Sequence, residues 1–161
     1  MKTDVVKLVT FRLGDDLFAA DVTAVERVLR YAVPNAVPDA PAWVAGVIEH
    51  RGKVIPVVDL RRRIELENTA ITPTTRILVL SSADGWVGTI VDAVLEVVNV
   101  PVTSVTPPPT LFRGLGSEFL RGIAKVKDRL IVILEVDRVL ASADRIVLER
   151  ALQSAESASN G

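Results

Sequence analysis

The sequence predicts a mainly β protein made of two similar halves, with short helical pieces and a helix at the C-terminal end. Three observations carry this expectation. Short, β-branched apolar runs alternate with turn residues. Their order repeats once along the 161 residues. Apolar residues make up 49% of the chain, enough to bury a core, while each half alone is near the size at which a core is marginal.

Val5 to Leu13 is β-branched and weakly alternating, and Gly14-Asp15-Asp16 is turn chemistry leading into Leu17-Phe18-Ala19-Ala20, which predicts a hairpin. Asp21 can cap a short helix over Val22 to Val28, with apolar residues at 22, 25, 28 and 29. Prolines 34, 38 and 41 keep the following stretch extended. Trp43 to His50 and Lys53 to Leu60 then flank Arg51-Gly52, a tight hairpin signal because glycine tolerates positive φ.

The second half follows the same plan. Arg76 to Ser81 and Trp86 to Val91 flank Ala83-Asp84-Gly85, and Val91 to Val97 matches Val22 to Val28. Prolines 101, 107, 108 and 109 supply the extended stretch. Phe119-Leu-Arg-Gly122-Ile mirrors Trp43-Val-Ala-Gly46-Val, and Leu130 to Val136 echoes Val54 to Leu60 across a turn at Lys127-Asp128-Arg129. The spacing is about 69 residues early and about 76 later, and a loop near Pro107 to Gly116 absorbs the difference. Strands 47–50, 54–59, 122–126 and 130–135 should therefore occupy equivalent places, with Gly46 over Gly122. After Asp137, the residues Val139, Leu140, Ile146, Val147 and Leu152 suit a helix, and 153–161 reads as a flexible tail. The expected organisation is one domain over 5–150, made of interleaved subdomains at about 15–70 and 75–140.

Composition narrows the function. Nineteen basic and 20 acidic residues give a net charge of −1, which offers no electrostatic footprint for nucleic acid or a membrane surface. Arg61-Arg62-Arg63, followed by Glu65 and Glu67, reads as a solvated or salt-bridged edge. The N-terminus lacks the apolar core of a signal peptide, and Asp92, Glu96, Asn99 and Pro101 interrupt the most apolar stretch, so the expected place is the cytoplasm. The absence of cysteine fits a reducing compartment.

Catalytic constellations are scarce. His50 is the single histidine, so any Ser-His-Asp arrangement would have to use it, and it sits beside a turn where a polar residue needs no special reason; one histidine and no cysteine also leave too few ligands for a zinc site. Gly46 to Val54 approximates a phosphate loop but has five intervening residues and Val54 in place of a Ser or Thr. Gly114 and Gly116 fail the dinucleotide pattern at its third glycine. Neither catalytic, metal nor cofactor-binding residues are expected. What remains is apolar surface: Val54 to Val58 and Leu130 to Leu134 are nearly continuous apolar strands, so each should have one face inside its own barrel and one toward the other half or a partner.

The segment Gly46-Val-Ile-Glu-His-Arg-Gly-Lys-Val-Ile-Pro-Val-Val-Asp-Leu-Arg61 resembles the CheW family of chemotaxis coupling proteins. Phe11-x-Leu-Gly14, Val25-x-x-Val28, Val87-Gly88 with Val91-Asp92, and the closing Leu-x-Val-Asp-Arg-Val-Leu140 extend the resemblance over about residues 5 to 152. It implies two five-stranded, SH3-like β-barrels packed face to face. It further implies a non-catalytic scaffold that binds the regulatory domain of a CheA-type histidine kinase and the cytoplasmic tip of a chemoreceptor. By resemblance, Val25, Val28, Val97 and Val98 lie near the receptor groove, and Gly46, Arg51, Gly52, Pro56 and Asp59 belong to the family motif. Arg51, with its five donors, is expected to pin backbone carbonyls or a carboxylate such as Asp59.

Two departures stand out: Glu49-His50 replaces the common Asn-Leu, and Arg27 stands where members often carry an acid. The receptor partner can then differ from the best-known systems, and related adaptors serve pili, gliding or second-messenger pathways. Two other classes compete with the scaffold reading. A small-ligand or nucleic-acid binder on a barrel of this size lacks a basic stripe and has only 4% aromatics. An enzyme would need carboxylates assembled in space, for instance Glu49, Asp59 and Glu135.

Overall fold

β-Branched residues crowd χ1 against a helical turn and pack well on a pleated surface, so Val-rich runs bounded by glycine, aspartate and proline fold as strands here. A computed structural model describes residues 4–141 apart from 65, 67, 68, 83, 84, 113 and 114. The first repeat runs β1 (Val5–Leu13), β2 (Asp16–Asp21), β3 (Val25–Arg30), β4 (Val44–His50) and β5 (Lys53–Asp59), followed by one helical turn, Leu60–Arg63. The second contains β6 (Arg76–Ser82), β7 (Gly85–Val91), β8 (Ala93–Pro101) and β9 (Val105–Thr106), then the short ribbon β10 (Leu111–Phe112) and β11 (Leu115–Gly116). It closes with β12 (Leu120–Val126), β13 (Arg129–Leu134) and a helix that begins at 136 and is described to 141. The rest of the expected C-terminal helix and the tail lie outside the described residues.

The strands form two main sheets, ordered β3-β6-β7-β5-β4 and β8-β1-β2-β13-β12-β9. Apart from the two-residue β9, the second order is the first with each strand replaced by its repeat counterpart. The register repeats as well. Phe11 opposes Phe18 as Leu80 opposes Val87, and Gly46 opposes Val57 as Gly122 opposes Ile133. The single parallel pairing in each sheet agrees too, with Val57 beside Gly88 and Ile133 beside Ala19. The mainly β, two-subdomain expectation holds. The repeats exchange hairpins: β6–β7 completes the sheet of β3, β4 and β5, while β1–β2 sits inside the sheet of β8, β12 and β13.

Three cores follow from this exchange. Ile55, Val57, Ile77, Val79 and Ile90 fill the interior of the first sheet, and Leu8, Ala19, Val100, Ile131 and Ile133 fill the second. Between the sheets lies a shared core that includes Phe11, Phe18, Val58, Leu78, Leu80, Val132 and Leu134. The second apolar face of β5 and β13 therefore meets the other half of the chain. Only the first residues of these runs escape: Val54 is 68% exposed and Leu130 is 61% exposed.

Two elements differ from the sequence expectation. Asp21 does cap a turn, accepting from the Thr23 amide at 3.0 Å, but the turn is a 3-10 helix of only Val22–Ala24. The expected helix over Val22 to Val28 gives way to strand β3, whose burial alternates residue by residue. Its counterpart Val91 to Val97 likewise runs from β7 into strand β8. Apolar residues at 22, 25, 28 and 29 fit helical spacing, yet pairing along the open edge of the β6 strand supplies backbone bonds that a short isolated helix lacks.

Glycine is required where strands bulge. Gly46 sits at φ 140° beside a register shift, and a Cβ there would stand 2.0 Å from the Asn35 carbonyl oxygen. Its counterpart Gly122 also adjoins a register shift, and a Cβ there would lie 2.7 Å from the Thr106 carbonyl oxygen. Gly52, at φ 79°, has open space around it. Gly52→Ala should accordingly cost only the ~1–2 kcal/mol of a left-handed residue, and Gly46→Ala, which adds a backbone collision, distinctly more. Urea unfolding of both variants checks the order; equal losses would deny the close approach at Gly46.

Candidate functional site

The polar centre of the molecule is built on Asp59, the last residue of β5. Its carboxylate accepts from the Arg61 amide at 3.1 Å, capping the turn that follows, and from the Arg61 guanidinium through Nε at 2.9 Å and Nη2 at 3.0 Å. The same guanidinium donates through Nη1 to Asp92 Oδ1 at 2.9 Å and to the Ala70 carbonyl at 3.2 Å. Asp92 lies on the link from β7 to β8, and its Oδ2 accepts from the Gly14 amide in the β1–β2 turn at 2.7 Å. One guanidinium thus joins the first sheet, the crossover and the second sheet's hairpin.

Arg61 is 1% exposed. Burial acts to lower its pKa, but Asp59 and Asp92 outweigh that and hold the pKa above the usual arginine value. Of the two readings of Arg61-Arg62-Arg63, solvated or salt-bridged edge, Arg61 takes the salt-bridged one, but it does so in the interior and not at an edge, with two carboxylates and a carbonyl consuming its donors. Arg62 remains half-exposed, and Arg63 stands 6.0 Å from the ring of Trp43 and 5.8 Å from that of Phe119, the paired aromatic positions of the two repeats.

Arg51 does not take the place expected for it. It is exposed in the β4–β5 turn at φ 51°, with Gly52 at 79°, and Asp59 is bound by Arg61 instead. A two-residue turn with both φ positive projects its side chains away from the strands. Lys53 beside it places Nζ 3.9 Å from the ring centre of Trp86. His50, expected beside a turn, is half-buried, and its Nε2 is a buried polar atom with no partner among the described residues. Pro56 is buried on β5 and precedes the first β5–β7 pair at Val57, so its missing N–H leaves that ladder intact.

The four valines divide into two pairs. Val28 on β3 is 47% exposed and Val97 on β8 is 57% exposed. They are repeat counterparts: Val28 opposes Leu78 and Val97 opposes Val9, each on the outermost strand of its sheet. Val25 packs against the shared core and Val98 against the second sheet's core, so both are half-buried. Solvent exposure is thus a property of two of the four side chains, while the other two pack beneath them against the cores. The carboxylates weighed as an enzyme centre are dispersed among different tasks, with Asp59 consumed by Arg61 and Glu49 on the β4–β5 hairpin.

A duplicated β scaffold with a buried charged centre, and with two equivalent exposed valines on the outermost strands of its two sheets, suits a protein-interaction module. The chain belongs to the CheW-like domain family, whose model matches residues 7–144. It is 34% identical over 141 residues to the chemotaxis protein CheW of Rhizobium meliloti, covering 86% of this chain and 90% of that one. It is 32% identical to the CheW of Bacillus subtilis, covering 83% and 86%, and 31% identical to the protein FrzA of Myxococcus xanthus, covering 87% and 88%. The crystal structure of the scaffolding protein TtCheW from Thermoanaerobacter tengcongensis matches with a TM-score of 0.76 at 32% identity, over 84% of this chain and 87% of that one. The chain is a coupling adaptor of chemotaxis signalling. Among the described residues no helix is long and apolar enough to cross a membrane.

Removing Arg61 would strand two carboxylates in the interior. Arg61→Ala should cost about 3–5 kcal/mol, the usual loss when one partner of a buried ion pair is removed, whereas Arg51→Ala should stay within about 0.5 kcal/mol. Arg61→Lys keeps charge without the fork and should recover only part of the loss. Urea denaturation of the three variants checks this; equal stability of the Arg61→Ala and Arg51→Ala proteins would sink it.

Proposed function

We propose that this chain is a non-catalytic cytoplasmic adaptor that couples chemoreceptors to a CheA-type histidine kinase, acting as one domain over residues 5–150. Its partners are the kinase regulatory domain and the cytoplasmic tip of a receptor. The supporting observation is the pair Val28 and Val97: equivalent valines left open to solvent on the outermost strand of each sheet. An exposed valine carries hydration that a partner's apolar stripe relieves, and a helical tip offers such a stripe.

Val25 and Val98 complete the receptor surface from below by fixing the two strands against the cores. Arg27, the neighbour of Val28 on β3, lies on the half-buried face of the strand with Val25 and Leu29, so its cation acts beside the valine surface and not within it. The β4–β5 turn presents Arg51 outward, so its family role is exercised at the surface, toward a partner.

Val28→Glu and Val97→Glu should fold with nearly the parent's stability, since both side chains already meet water. Each should weaken receptor binding tenfold or more, reflecting loss of ~1.5–3 kcal/mol of burial at an anchor, and leave kinase binding intact. Titration against a receptor fragment and against the kinase domain, with thermal melting as control, separates these effects. Parent-like receptor affinity in both variants would remove the two valines from the site.

A further inference from the structure

The repeat lets one half of the molecule indicate what the other half lacks. In the first half, Asp59 ends β5 and its amide donates to the Trp43 carbonyl at 2.7 Å; in the second, Glu135 follows β13 and its amide donates to the Phe119 carbonyl at 2.8 Å. The same backbone hydrogen bond therefore closes this corner in both halves, and the repeat spacing matches Asp137 to Arg61. Thr23 likewise stands where the first half has Asp92. The first-half corner is filled by the buried guanidinium. The second-half corner is an open cleft of about 360 Å³, whose lining includes Asp21, Thr23, Ser81, Arg121, Glu135 and Asp137.

The charge of the cleft is unbalanced. Three carboxylates face one cation, and that cation, Arg121, is already committed to Asp21 Oδ2 at 3.1 Å. Asp21 also accepts from the Thr23 amide and hydroxyl. Glu135 keeps the position of a carboxylate that, in its twin, binds a guanidinium through two nitrogens, but the arginine that would answer it is replaced by Asp137. The described residues form no group of three side chains suited to a metal ion. A planar cation with several donors matches spread-out oxygen acceptors better than a point charge does. The volume falls within the ~300–1,000 Å³ usual for ligand pockets.

We propose that the cleft between the end of β2 and the turn after β13 receives an arginine side chain of a partner protein, whose guanidinium pairs with Glu135 and Asp137 in the position that Arg61 fills in the first half. The inference rests on the repeat and stands apart from which receptor or kinase the adaptor serves.

The test is an amide-resolved NMR titration of the full chain with the peptide acetyl-Gly-Arg-Gly-amide and with the same peptide carrying citrulline, which keeps the shape and loses the charge. Shifts concentrated at Thr23, Ser81 and Glu135 to Asp137, saturating at millimolar peptide and at least tenfold weaker with citrulline, are the expected result. Glu135→Gln with Asp137→Asn should abolish them. Asp137→Arg supplies the cation from the chain itself, so it should raise the melting temperature and block the peptide even if the double variant proves unstable. Equal response to both peptides, shifts elsewhere, no shift, or unchanged peptide binding by the Asp137→Arg protein each overturns the assignment.

Discussion

The guanidinium of Arg61 is the point at which the two sheets, the crossover between them and the first hairpin turn are tied together. A charge moved into the interior loses hydration worth many kcal/mol, and only a complete set of partners makes that tolerable. Here the fork meets both oxygens of Asp59, one oxygen of Asp92 and a carbonyl, and the remaining oxygen of Asp92 passes the constraint to the Gly14 amide. Apolar packing between sheets is tolerant of small slips, whereas this network has one satisfied geometry. The network lies beside the shared core, against which Val25 of the first outer strand and Val94 of the second both pack.

Most of the architecture was legible because it is written twice. A Val-rich run such as Val54 to Val58 says little alone, but its recurrence at Leu130 to Leu134, with Gly46 and Gly122 at matching distances ahead, fixes the strands and their bulges together. The hairpins at Gly14 and Arg51-Gly52 were equally clear, since left-handed turns restrict residue choice. Val22 to Val28 was misread as helix because its apolar spacing fits 3.6 residues per turn. Pairing with β6, distant in sequence, decides the matter and leaves no local trace.

Arg61 was hidden for the same reason. In a run of three arginines, composition points to solvent, and nothing near it reveals that Asp92, far along the chain, turns back to meet it. The available signal was Asp59 two residues earlier: a cap position followed by a long forked donor is a site where an ion pair can close locally. For the valines, resemblance named four positions, but burial separates them. Strand alternation makes adjacent residues point to opposite faces, so Val97 and Val98 could not both be outward.

The exchange of hairpins has a bearing on the origin of the fold. Neither repeat contains a complete sheet: β3, β4 and β5 lack the strands that join β3 to β5, and β6–β7 from the other repeat provides them. A chain of half this length would therefore be unfinished as a monomer. Two such chains trading hairpins would rebuild both sheets around a true twofold axis, with the shared core as their interface. Gene fusion of that swapped dimer yields the present order of strands without any change of pairing.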